Sequence, residues 1–185
     1  MCNEYFYDLN ISTMFNKLFR KTEPGKLNEN IFGLINNDWM LITAGNPEHF
    51  NTMTASWGTM GILWNKPIAV CFIRPQRFTF EFTEKHPYFT LSFFDSQYKD
   101  MLNFCGKYSG RNVDKIAKTG LKPVITPLGN ITFEQCRLVM ECKKLYTDYI
   151  KEDNFIAESL INANYPGKDF HKFYIGEISE SYMKI

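Results

Sequence analysis

The 185-residue chain has no CxxC pair, no block of like charge and no glycine-rich nucleotide fingerprint. Each absence removes a class of function. Its five cysteines (Cys2, Cys71, Cys105, Cys136, Cys142) are odd in number and widely spaced. That pattern argues against a disulfide framework, a zinc site or a dithiol redox motif, and predicts reduced, buried thiols in a cytoplasmic protein. The net charge is +1 with no long basic run, so composition gives no support for nucleic-acid binding. No apolar run approaches a membrane span, and the opening MCNEYFYDLN lacks the basic and apolar regions of a secretory signal. The GxGxxG pattern is missing, and GKYSGR at 106–111 lacks the upstream glycine and the Lys-Ser/Thr pair of a Walker A loop. The histidines His49, His86 and His171 have no metal-ligand spacing, so no metal site is expected.

What the chain does have is aromatic residues, 17 Phe, 10 Tyr and 3 Trp, within an ordinary 44% apolar and 22% charged composition. Rings at this density suit a β-rich core. The length favours one domain. Apolar runs at Trp39–Ala44, Ile68–Ile73, Tyr88–Phe94, Cys136–Lys143 and Phe173–Ile178 predict strands, that of Cys136–Lys143 half-buried by its alternation. Short helices are expected at 80–85 with Thr79 as cap, at 97–105 with Ser96 as cap and Gly106 in a C-terminal role, and at 113–119 between Asn112 and Gly120. Ile11, Met14, Phe15, Leu18 and Phe19 have helical spacing, with Asp8 as N-cap and Pro24-Gly25 as stop. They mark residues 1–26 as a helical extension before a domain at 27–185. Strands that outspan the helices without regular alternation point to an antiparallel barrel with peripheral helices.

Two constellations carry candidate chemistry. Asn51–Gly58 (NTMTASWG) set out as a strand puts Thr52, Thr54, Ser56 and Gly58 on one face, with Met53, Ala55 and Trp57 on the other. The hydroxyl face could line a flat ring, with Gly58 allowing close approach. A solvated sheet edge has the same alternation, so periodicity leaves both readings open. After the next strand come Arg74, Arg77, Phe78 and Thr79, two guanidinium forks before a helix N-terminus, which suits a phosphomonoester. Surface arginines with an ordinary cap fit equally. Lys107, Ser109 and Arg111 add donors in the loop at 106–111, which could also be a plain connector.

In order along the chain, the segment 51–79, Lys66-Pro67, Arg74–Thr79, Tyr88–Phe94, Asn103–Arg111, Glu141–Tyr146 and His171–Ile178 resemble the flavin reductase-like family of FMN-binding split barrels, and most closely its flavoredoxin branch. The resemblance implies a Greek-key antiparallel split barrel, FMN as cofactor and a homodimer. It implies NAD(P)H or a protein redox partner as electron source, with an unknown acceptor. It also implies that Arg74, Arg77 and Thr79 hold the FMN phosphate, that Asn51–Gly58 and the loop of Lys107, Ser109 and Arg111 lie near the flavin, and that His171 faces the site. No protein nucleophile is expected, because the isoalloxazine carries the redox chemistry. An electron-transfer flavoredoxin and a non-catalytic flavin-binding module are the alternatives.

Overall fold

The computed structural model describes residues 14–185. Its strands are β1 (Phe19–Thr22), β2 (Met40–Gly45), β3 (Phe50–Ala55), β4 (Gly58–Leu63), β5 (Lys66–Ile73), β6 (Tyr88–Phe93), β7 (Pro123–Ile125), β8 (Ile131–Phe133), β9 (Leu138–Tyr149) and β10 (Lys172–Lys184). The helices are α1 (Ile31–Gly33, running into a π-helical turn over Leu34–Asp38), α2 (Phe78–Lys85), α3 (Lys99–Lys107), α4 (Lys115–Thr119) and α5 (Ser159–Asn164).

Eight strands form one antiparallel sheet, seven of them in the order β3-β2-β6-β9-β10-β5-β4 and the eighth, β1, beside β10. β10 is long enough to serve two neighbours on one edge: Lys172–Glu177 pairs with β5, and Ser181–Lys184 with β1. β7 and β8 form a separate small hairpin. The mainly β, antiparallel expectation holds. The barrel does not close by hydrogen bonding, because β3 and β4 end the path and do not pair. That split places the candidate site.

Two apolar clusters explain why so few strands have a wet face. Met40, Ile42, Cys71, Ile73, Phe89, Leu91, Met140 and Tyr174 belong to one cluster. Leu41, Phe94, Leu102, Phe133, Val139 and Tyr182 belong to the other, with α3, α4 and the β7–β8 hairpin covering that side. β9 is therefore not half-buried as its alternation predicted, since Leu138–Cys142 is buried on both faces. Glu141 is wholly buried there, accepting from Asn130 Nδ2 at 2.7 Å and from the Thr126 hydroxyl, and burial raises its carboxyl above the usual range. Likewise Thr90 and Ser92 of β6 bond under the hairpin, to the Ile131 carbonyl and the Thr132 hydroxyl.

The N-terminal expectation is changed in one respect. Residues 14–18 are helical, but Phe19–Thr22 leaves the helix to become β1, because Phe15 and Phe19 bury against Tyr182 while the backbone joins β10. Asp8, Ile11 and Cys2 lie outside the described residues. Strand β4 carried no clear sequence signal: its apolar Ile62, Leu63 and Trp64 are exposed (74%, 37% and 55%) around a turn in which Trp64 and Asn65 both have positive φ.

Candidate functional site

The split between the sheet ends is where chain geometry and chemistry meet. β3 stops at Ala55, Ser56 and Trp57 leave the ladder, and β4 starts at Gly58 against Cys71 of β5. The single strand expected over Asn51–Gly58 is thus broken, because the backbone must turn from β2 toward β5. Around this break lies a cavity of about 270 Å³ lined by Met53, Thr54, Ala55, Ser56, Trp57, Phe72, Arg74, Arg77 and His171. It shares Met53, Arg74 and Arg77 with a second cavity of about 440 Å³, which adds Gln76, Phe78, Thr79, Lys107, Tyr108, Ser109, Gly110 and Lys115. Together they form a trough whose second part is cationic.

Those cations are not equivalent. Arg74 pairs with Asp169 and donates to the Asn164 carbonyl at 2.8 Å. Arg111 pairs with Glu81, donates to the Gln76 carbonyl at 3.0 Å and lies over the Phe78 ring. Arg77 instead donates to the Gly106 carbonyl at 2.7 Å, and no carboxylate among the described residues pairs with it. Burial, and then the Arg74 charge, press its pKa downward. Lys115 is more extreme. It is 5% exposed, and its ammonium donates to the carbonyls of Thr52 and Cys105, each at 2.8 Å. It too has no carboxylate partner among the described residues, and burial lowers its pKa to about 8. A buried ammonium satisfied only by carbonyls is costly unless an anion joins it. Sequence reading missed Lys115 altogether: in a five-residue helix capped by Asp114 it resembles any surface lysine.

The start of α2 supplies further donors. Arg77, not Thr79, is its N-cap residue, and no side chain caps it. Thr79 sits inside the first turn, fully buried, and its hydroxyl accepts from Asn51 Nδ2 at 2.7 Å. The expected cap fails because the threonine hydroxyl ties α2 to β3; of the first N–H groups, that of Phe80 donates to the Arg77 carbonyl at 3.0 Å, and those of Phe78 and Thr79 have no intrahelical partner. The loop after α3 closes on the same point. A side chain at Gly110 would place its Cβ 2.0 Å from Asn51 Oδ1, so only glycine lets the loop approach β3. Gly106 lies within α3, which runs on to Lys107, so it does not end that helix; its neighbour across the gap is the Thr54 side chain.

The hydroxyl face of β3 is mostly spoken for. Thr52 is buried and within 2.9 Å of the Thr43 hydroxyl, and Thr54 donates to the Leu102 carbonyl of α3. Ser56 makes no hydrogen bond among the described residues and lines the trough. Gly58 differs from its expected role. A Cβ there would meet the Val70 carbonyl at 2.8 Å and Met40 at 3.1 Å, so the glycine is required by strand packing.

His171 precedes β10 and lines the trough beside Trp57, with ring centroids 5.1 Å apart. Its Nδ1 lies 2.9 Å from the Tyr165 hydroxyl. Burial, then the Arg74 charge, lower its pKa to about 4, which makes it a neutral imidazole at ordinary pH. His49 is exposed against Phe82, and neither it nor His86 lines the trough. The thiols of Cys71, Cys105, Cys136 and Cys142 are buried, which pushes those of Cys71, Cys105 and Cys136 up to about 12, 11 and 11 and silences them as nucleophiles. No helix among the described residues is long and apolar enough to cross a membrane.

A split antiparallel sheet with a cationic trough along its gap defines the fold class of the chain. The chain belongs to the flavin reductase-like family: the model named "Flavin reductase like domain" matches residues 32–182. Nothing among curated proteins matches it. Among solved structures, an FMN-binding protein from Thermus thermophilus with bound 1-cyclohex-2-enone is 21% identical, with a TM-score of 0.62 over 89% of this chain and 77% of that one. Flavoredoxin from Methanosarcina acetivorans is also 21% identical, with a TM-score of 0.62 over 88% and 76%. An NADH:FAD oxidoreductase from Streptomyces globisporus C-1027 is 15% identical, with a TM-score of 0.58 over 79% and 74%. These likenesses establish the shared fold.

Proposed function

We propose that the chain is an FMN-binding oxidoreductase that takes reducing equivalents from NAD(P)H and passes them through the flavin to an acceptor. One observation carries the reading: Arg77 and Lys115, both without a carboxylate partner among the described residues, line the same cavity at the N-terminus of α2. Two such cations beside open helical N–H groups fit a phosphate dianion and no neutral group. The residues present therefore suit FMN better than riboflavin.

Arg77 and Lys115 bind the phosphate, with Ser109 and Lys107 at the rim of the same cavity. Met53–Trp57 shape the adjoining cavity for the rest of the molecule. When bound, the isoalloxazine supplies the hydride and electron chemistry. His171, neutral and held by Tyr165, offers Nε2 as a hydrogen-bonding group that makes no other bond among the described residues. A homodimer accompanies this reading, supported by the exposed apolar tip of the β4–β5 hairpin at Ile62–Trp64. Four buried thiols with no disulfide among them support a reducing, cytoplasmic setting.

The absorption spectrum of the purified, untagged protein is the first test, since a flavin spectrum is required. Anaerobic mixing with NADH and with NADPH follows. Bleaching of the bound flavin by a nicotinamide is the expected result. Reduction only through an added redox protein would assign the chain to electron transfer of the flavoredoxin kind, and the likeness in fold to the flavoredoxin from Methanosarcina acetivorans keeps that the second reading.

A further inference from the structure

A cavity of about 480 Å³ adjoins the apolar end of the trough, sharing Ser56, Trp57 and Phe72 with it. Its other walls are Gly58 at the start of β4, Ile35 of the α1 π-helical turn, and Ile150, Phe155, Leu160, Asn164 and Tyr165 of the segment between β9 and β10. No charged side chain lines it, in contrast to the arginines and lysines of the trough. Its size is that of a small-molecule site, and its walls are mainly aromatic and aliphatic.

Few polar groups remain in it for a ligand. The Tyr165 hydroxyl is held by His171, and the Asn164 side-chain amide donates to the Leu160 carbonyl at 3.0 Å while its backbone carbonyl accepts from Arg74. Ser56 is different: its hydroxyl has no partner among the described residues, and it stands on the wall common to both cavities. Beside it Trp57 is 44% exposed, a large ring left facing open space.

We propose that this cavity is a second ligand site, for an uncharged planar ring compound bearing a carbonyl, a quinone being the type. The aromatic walls offer faces for a flat ring, and the Ser56 hydroxyl donates to the ring carbonyl. A charged ligand would be partly desolvated there with no counter-charge on the walls to replace its water. Only the position of this site beside a flavin rests on the proposed function; the cavity's own chemistry does not.

The test is calorimetric titration of the FMN-loaded protein with menadione and with a ring-sulfonated naphthoquinone. Menadione should bind about tenfold or more tighter than the sulfonate. Leu160→Lys, on the exposed side of α5, should weaken menadione about tenfold or more while leaving FMN affinity and the thermal melt unchanged. Ser56→Ala should weaken it severalfold. Equal binding of the sulfonate, no binding of menadione, or displacement of FMN by menadione would overturn the assignment. So would a change of oligomeric state in Leu160→Lys by light scattering, which would give the cavity to a second copy of the chain. Menadione binding that is sensitive to Leu160→Lys in a protein that takes up no FMN would uphold this site and refute the flavin reading instead.

Discussion

Arg77 and Arg137 are both partly buried arginines, yet the molecule treats them in opposite ways. Arg137, entering β9, pairs with Glu29, with Asp38 at 2.7 Å and with Asp95 at 3.8 Å. The Glu29 and Asp38 contacts hold its pKa above the usual value despite burial. The charge is consumed in joining the segment before α1, the end of the π-helical turn and the end of β6. Among the described residues Arg77 has one carbonyl and no carboxylate, with a second cation pressing on it and the buried ammonium of Lys115 lining the same cavity. A fold that satisfies one arginine three times over and leaves another short of an anion has structural and functional cations in separate places. The difference lies in their partners and not in residue type or burial.

The sharpest way to break this comparison is to truncate the two arginines. Arg77→Ala should weaken FMN by about 2–5 kcal/mol and leave riboflavin affinity nearly unchanged, as measured by flavin fluorescence titration. Equal losses for the two ligands would remove Arg77 from the phosphate. Arg137→Ala should do the reverse, lowering stability by about 1–3 kcal/mol in urea unfolding because Glu29 and Asp38 lose their shared partner. Its FMN affinity should stay at the wild-type value.

Lys115 sharpens the contrast further. Lys115→Met removes a buried charge that among the described residues only carbonyls solvate, so the flavin-free protein should melt at the same temperature or higher. FMN affinity should fall about tenfold, roughly 1.4 kcal/mol, without a matching fall for riboflavin. The sign of the pH effect follows from its lowered pKa of about 8. The ammonium is charged below that value and lost as pH rises through it, so the preference for FMN over riboflavin should narrow above pH 8 in the wild type. In Lys115→Met that dependence should vanish. A wild-type preference that stays flat across this range would show that Lys115 does not touch the phosphate.

The smallest effect is expected at Thr54. Its hydroxyl donates to the Leu102 carbonyl, so Thr54→Val should cost about 1 kcal/mol of stability through the contact between β3 and α3. A flavin spectrum that shifts with little change in stability would return this hydroxyl to the ligand.

Much of the site was visible in the chain as positions but not as partners. The spacing of Arg74, Arg77 and Thr79 after a buried strand located the cationic turn, and all three line the trough. Spacing alone does not show that Arg74 and Arg111 are already paired, because Asp169 and Glu81 reach them from 95 and 30 residues away. The period-two reading of Asn51–Gly58 held only as far as Ala55, since a bend toward β5 is set by what the strand must join. The alternation of β9 predicted a wet face that the β7–β8 hairpin covers.

The sequence by itself determined the β-rich class, the run of Ile68–Ile73 as a strand, the scattered cysteines without a dithiol pair and the family. These depend on local composition and ordered motifs, which survive without knowing what packs on what. Only the tertiary structure decided which cations are spare, that Lys115 is buried beneath the cradle, that Gly58 serves strand packing and that an uncharged cavity adjoins the trough. Pairing and desolvation are properties of space. A lysine and its missing carboxylate are recognised only once the chain has brought, or failed to bring, the two together.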